Sequence, residues 1–421
     1  MKTNMNKRLG ILTVLSLIIL ASGCKEPPPC DFEIRPGPAA QNQMQTALNQ
    51  VKDGCTISLS DGVFEFSRGL TMDSKSNVTI KGVSRENTIL SFENQETGAD
   101  GLLISNSDDI IVKDLTIRDT MGDALKFTDS QSIVMLRLNT IWSGEPSEDN
   151  GAYGLYPVES SNILIDDCYS YGASDSGIYV GQSDNAIVRN SRAEGNVIGI
   201  EIENTTGADV YDNVVYENAA GIMVINLPGL SQLGSQTRIF NNTITDNNLG
   251  NFAHHGHIAA EVPAGTGILT LSITDVEIFN NDLHENNVVG TAVASYLALV
   301  GIGVAPEPTD PNYNPYPGNI YIHDNSYSRS NNYAPAEEQS DFGNLLVQSF
   351  GANPIPDFIL DGIFLPESGE SGTICIENND GSSFVNLNLL NDFPNNLSFD
   401  ASPHACSMDP LPEIVLDIPQ I

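Results

Sequence analysis

Apolar residues in this chain recur in pairs behind regularly placed glycines. Gly154, Gly177, Gly199, Gly221 and Gly267 are separated by 23, 22, 22 and 46 residues, the last gap being twice 23. Counting each glycine as position 0, positions +1 and +3 are apolar: Leu155 and Pro157, Ile178 and Val180, Ile200 and Ile202, Ile222 and Val224. Such alternation makes a strand with one face inward. A second alternating run starts near +9, with Ile163 and Ile165, Ala186 and Val188, Ala208 and Val210. Asp or Asn follows at +13, as Asp167, Asn190, Asp212 and Asn280. These residues tolerate turn conformations, and stacked copies form ladders. The register extends upstream, where Asp100-Gly101-Leu102 maps onto Asp123-Ala124-Leu125 and Ile110 onto Ile133.

A self-similar period in this range signals a solenoid. Coils of 22–23 residues with two or three short strands and Asn/Asp turns predict an all-β, right-handed parallel β-helix. Neighbouring coils then lie about 4.8 Å apart. Leucine-rich repeats have a similar length but need regularly spaced leucines and a helical segment, and neither is present. Insertions into the period mark loops that leave the coil: 143–150, 227–234, 251–257 and 303–318. Residues 41–51 read as an amphipathic helix covering the open N-terminal end, as a solenoid requires. The repeat fades near Tyr333. The expected organisation is a signal peptide (1–23), a tether (24–39), the β-helix with its N-terminal cap (40–333), and a C-terminal cap with an extended tail (334–421).

Lys2, Lys7 and Arg8 precede an apolar run from Ile11 to Ala21, too short to span a membrane and ending in small residues. This is the pattern of a secretory signal. Ala21-Ser22-Gly23-Cys24 resembles a lipobox, so Cys24 is the expected lipidation site, and Pro27-Pro28-Pro29 a stiff tether. The expected address is an outer-membrane or cell-surface lipoprotein, with its soluble domain in the periplasm or outside the cell. Membrane contact is expected only through the lipid. The remaining cysteines suit an oxidising compartment, with predicted disulfides Cys30–Cys55 and Cys375–Cys406 and Cys168 as a free thiol.

Loss of the signal removes three of 18 basic residues and none of the 54 acidic ones, leaving a net charge of −39. Nothing here could neutralise a phosphate backbone, so nucleic acid is excluded as a partner. A polyanionic sugar needs cations such as Ca²⁺ to bridge it to the carboxylates.

The register sorts candidate chemistry. Outward position +2 runs Leu103, Lys126, Tyr156, Tyr179, Glu201, Met223, with Glu203 at +4 and Asp123 and Asp175 just before their strands. Lys126, Glu201, Glu203 and Asp175 are the expected catalytic groups, and Tyr156, Tyr179 and Asp123 the substrate-binding ones. Tyrosines stack on sugar rings, Lys126 neutralises a uronate, and carboxylates bind Ca²⁺ or act as acid and base. His254, His255 and His257 are weaker candidates for a metal.

Four segments, residues 174–183, 199–204, 263–268 and 316–325, resemble a family of bacterial exported parallel β-helix repeat proteins. The resemblance spans roughly residues 40–330 and implies the pectate-lyase-like fold, but no particular activity. Motifs of the better-known β-helix enzymes are missing. The nearest approach to the Asp-Pro-His-Asp of mannuronan C5-epimerases is Ser402-Pro-His-Ala405. Asp108-Asp109 and Asp166-Asp167 stand without the rest of the polygalacturonase set, and the pectate-lyase Trp-Ile-Asp-His is absent. Two functions remain open. One is a polysaccharide lyase, epimerase or hydrolase. The other is a non-catalytic cell-envelope protein that binds glycan or protein or serves a structural role; under either function a monomer is expected.

Overall fold

In the computed structural model, residues 30–330, 334–336, 339–351, 353–369 and 373–420 are described. The predicted signal, Cys24 and the tether up to Pro29 lie outside them. Each central coil has three strands. Ser176–Gly181 lies in an 11-stranded parallel sheet, and Asp184–Arg189 and Arg192–Glu194 form two walls of a 20-stranded sheet. The next coil repeats this as Ile198–Glu203, Thr206–Tyr211 and Val214–Tyr216, with every pairing parallel. This is a parallel β-helix. Below, the 11-stranded ladder is called the short sheet and the 20-stranded one the long sheet.

Positions +1 and +3 fill the interior. Leu125, Leu155, Ile178, Ile200, Ile222 and Ile268 stack in register, all fully buried. The repeated glycine is explained by the same interior. A Cβ on Gly177 would lie 2.6 Å from the Asn196 amide, and one on Gly199 would lie 2.8 Å from the carbonyl of Gly221. Positions 0 and +1 therefore both face inward. The strand bends at the glycine, so positions −1 and +2 share the outer face.

The Asn/Asp turn divides its labour between two adjacent positions. Asp167, Asn190, Asp212 and Asn280 at +13 adopt left-handed φ values of 51–54°. The hydrogen-bonded ladder lies one residue later. Asn213 Nδ2 donates to Asn242, Asn242 to Asn281, Asn281 to Asn325 and Asn325 to Asn379, at 2.9–3.0 Å. The sequence pattern had assigned both jobs to +13. A second ladder joins Asn196, Asn218, Asn247 and Asn286.

Helix α1 (Ala40–Gln50) buries Ala40, Met44, Ala47 and Leu48 over the N-terminal end, and Gln45 bonds both the N–H and the carbonyl of Thr71. Both predicted disulfides are present and Cys168 is a buried free thiol. The ladders do not end near residue 333. Phe358–Leu360 and Phe384–Asn386 extend the short sheet, and Ile374–Glu377 extends the long one. Helices α2 (Tyr296–Gly301) and α3 (Asp341–Phe350) interrupt the pattern there. No described helix is long and apolar enough to cross a membrane.

Candidate functional site

The register brings the predicted column together. Leu103, Lys126 and Tyr156 are neighbours on successive strands, and Tyr179, Glu201 and Met223 continue the line. Tyr153 and Ser176, at position −1, join them because of the glycine bend. Neither was foreseen, since simple alternation would point them inward. The rings of Tyr153, Tyr156 and Tyr179 pack at centroid distances of 4.5–4.9 Å.

Polar groups thread this aromatic cluster. Tyr179 Oη donates to Glu203 Oε2 at 2.8 Å, and Gln182 Nε2 donates to Tyr179 Oη at 3.2 Å. Tyr153 Oη donates to Asp175 Oδ2 at 3.2 Å. Ser176 Oγ lies 3.1 Å from Asp175 Oδ1 and makes a short hydrogen bond with Glu201 Oε2. A hydroxyl carries one hydrogen. Both contacts are hydrogen bonds only if Asp175 or Glu201 holds a proton. Lys126 Nζ sits 3.4 Å from Asp123 Oδ2 and 4.4 Å above the Tyr156 ring.

Depth divides the group. Tyr179 is 3% exposed, Glu201 5%, and Glu203 and Asp175 9% each, whereas Lys126, Asp123, Tyr153 and Tyr156 are half-buried. Desolvation dominates the titration of the deep acids. It pushes Asp175 up to about 7, helped by the charges of Glu203 and Asp123 and opposed by bonds from Ser176 and Tyr153. Glu201 is raised well above the carboxylate range by burial and by Asp175 and Glu203. Burial also raises Glu203, against the bond from Tyr179. Asp123 is pushed up to about 6 by burial, with Lys126 holding it down. All three tyrosines are raised, chiefly by burial, and stay protonated.

Two insertions wall the face. Ala253, Ala259 and Val262, from the 251–257 loop and the turn after it, pack on Val197, Ile198, Ala220, Met223, Ile225 and Leu271. His254 Nδ1 lies 3.6 Å from Glu148 of the 143–150 loop. The 227–234 loop borders a polar groove of about 480 Å³ beside the cluster, lined by Glu159, Gln182, Asp184 and Gln232 among others.

Among the described residues, the one group of three whose ligand atoms lie within 4.8 Å of each other is Cys30, Asp31 and Cys55, and its two sulfurs form a disulfide. His254, His255 and His257 do not form such a group; the ring centroids of His254 and His257 are 6.1 Å apart. Among the described residues, the carboxylates of Asp175, Glu201 and Glu203 do not form a group whose ligand oxygens lie within 4.8 Å of one another either.

The stacked coils, capped N-terminal end and walled outer face define a right-handed parallel β-helix protein. Residues 100–295, just under half of the chain, match the right handed beta helix region family model. A search of curated protein sequences gives no match. Among solved structures, the chain is similar to the A-module of a mannuronan C-5 epimerase of Azotobacter vinelandii. Identity is 15%, over 81% of this chain and 91% of that one, with a TM-score of 0.51. It is also similar to the N-terminal fragment of bacteriophage Phi29 gene product 12, at 15% identity over 81% of this chain and 59% of that one, TM-score 0.50. At such identities the likeness establishes the fold alone.

Proposed function

We propose that this is an exported, Cys24-anchored protein that acts on a uronate-containing polysaccharide by lyase or epimerase chemistry on the outer face of its short sheet. One observation carries the reading: a half-buried lysine and aspartate stand beside three tyrosines, over buried acids whose proton affinity is raised by burial. The similar module belongs to a mannuronan C-5 epimerase, which supports a uronate as substrate.

Glu201, Glu203 and Asp175 are less exposed than Lys126 and Asp123, so the direct roles are placed at the mouth of the cluster. Lys126 pairs with the substrate carboxylate. That carboxylate acidifies the neighbouring C–H, and Asp123, 3.4 Å from the ammonium, is placed to take the proton. A base with a pKa of about 6 is ionised at neutral pH yet still proton-accepting. In epimerisation the hydroxyl of Tyr156 or Tyr153 returns a proton to the same carbon; in a lyase step it protonates the oxygen that leaves as the C–O bond breaks, and exchange with water then deprotonates Asp123 and reprotonates the tyrosinate. The Asp175–Ser176–Glu201 group beneath holds Tyr153 through its hydrogen bond to Asp175. A second reading, a glycan-binding protein without turnover, is favoured by the fact that each deep acid already has a hydrogen-bond partner.

Incubation of the soluble domain with alginate, pectate and other polyuronates tests the reading. Absorbance of unsaturated product reports lyase action, and proton exchange with deuterated solvent at the sugar reports epimerisation. Either signal, lost in Lys126→Met, supports it. Absence of both with every polyuronate sinks it, and binding without either leaves the second reading. Lipidation at Cys24 is checked by mass spectrometry of the N-terminal peptide from membrane fractions.

A further inference from the structure

One outward column of the long sheet runs unbroken along the helix. It reads Ile111, Val134, Leu164, Ile187, Asp209, Arg238, Glu277, Tyr321, Cys375, one residue per coil. Four aliphatic side chains on consecutive coils are unusual for an outer strand position, which ordinarily meets water. The C-terminal segment covers them. Its root is tied to the last member of the column by the Cys375–Cys406 disulfide, and from there it runs back along the column. Leu411 N–H donates to Glu277 Oε2 at 2.9 Å, Ile414 N–H to Asp209 Oδ2 at 3.2 Å, and Asp417 N–H to Asn162 Oδ1 at 3.4 Å. Ser132 Oγ donates to the Asp417 carbonyl at 3.0 Å. Leu416 and Ile418 rest on Ile111, Val134, Leu136, Leu164 and Ile187.

The spacing is commensurate. From Leu411 to Ile414 the tail advances three residues while the column advances two coils, from Glu277 through Arg238 to Asp209. Two coils cover about 9.6 Å, and three extended residues cover about 10 Å. The groove therefore offers an acceptor at every second coil to every third N–H of an extended chain, and an apolar floor beyond. It reads backbone and aliphatic side chains, which are features of a peptide.

The attachment is partial. Four hydrogen bonds and four half-buried aliphatic side chains, Leu411, Ile414, Leu416 and Ile418, oppose the entropy of ordering the whole segment. Val415 is 82% exposed, and Ser407, Asp409 and Pro410 in the lead from Cys406 are exposed as well. No contact of residues 411–418 depends on which copy of the chain supplies them. Exchange of an identical element between protomers is a low-cost route to a symmetric dimer.

We propose that this column is a peptide-docking groove and that residues 411–418 are its releasable occupant, which the tail of a second copy can replace. The full chain carrying Leu416→Asp and Ile418→Asp frees the groove without altering it. A fluorescent peptide of residues 407–421 should bind this variant saturably at one site, at least tenfold tighter than the unaltered chain, whose groove is filled. The same peptide with both aspartates should not bind. The unaltered chain should show a dimer that grows with concentration, and the variant should not. Hydrogen exchange on the unaltered chain gives a check independent of the variant: residues 411–418 should exchange at least 100-fold faster than the coil amides beneath. Equal peptide binding to both chains, no dimer at any concentration, or tail exchange as slow as that of the coils overturns the proposal.

Discussion

Replacing Asp175 with asparagine removes one buried proton-binding group at nearly constant size. Folded Asp175 titrates at about 7, against about 3.9 for an unfolded aspartate. Between those values the native state binds more protons than the unfolded one, so its stability falls as pH rises. The burial penalty is absent below about 4 and complete above about 7. Three pH units at 1.36 kcal/mol each amount to about 4 kcal/mol. Asp361, also pushed to about 7 by burial, is present in both proteins and cancels in the comparison. Unfolding entropy near 2.1 cal/mol/K per residue over 421 residues converts this to about 5 °C. Melting temperatures of the two proteins, read by circular dichroism from pH 4 to pH 8, provide the assay. The Asp175→Asn protein should gain about 5 °C on the unaltered one across that range, with the change centred between pH 5 and pH 7. A difference that stays constant within 1 °C would refute the claim that Asp175 retains its proton.

Gly177→Ala places a Cβ 2.6 Å from the Asn196 amide and should cost about 1–3 kcal/mol; a melting temperature equal to that of the unaltered chain would contradict the bend geometry. Asn281→Ala interrupts the ladder between Asn242 and Asn325 and should cost about 1–3 kcal/mol through the unpaired amides, while Asn287→Ala, which bonds only near the surface, should cost clearly less in the same denaturation series. Tyr179→Phe removes the donor to Glu203, so Glu203 should titrate higher still in carboxyl NMR; an unchanged titration would show that the bond is not made.

The interior was legible because it repeats. Glycine, +1 and +3 recur on adjacent coils, and each copy reinforces the inference. What was misread turns on single-residue geometry. The ladder lies at +14 rather than +13, because the left-handed residue turns the chain and its successor points inward. Tyr153 and Ser176 were missed because the bend at glycine breaks simple alternation. A steric reading of the glycine itself could have found them, since a residue that excludes a Cβ must face the packed side. The depth of Glu201 and Glu203 was not legible, because alternation places positions +2 and +4 outward without showing what packs over them. The coils beyond residue 333 were hidden by the inserted helices. The course of the tail is set by contacts more than 130 residues away in sequence, which no local pattern encodes.

The most direct test of the functional account is the pH dependence of turnover on a polyuronate, compared between the unaltered chain and Asp123→Asn. Asp123 must be ionised to accept the proton, so the rate should rise with pH through about 6 and then level off. Asp123→Asn should lose at least 100-fold in rate while its polyuronate binding changes little and its melting temperature does not fall. A rate that survives in Asp123→Asn, or one that falls as pH rises through 6, would contradict the account.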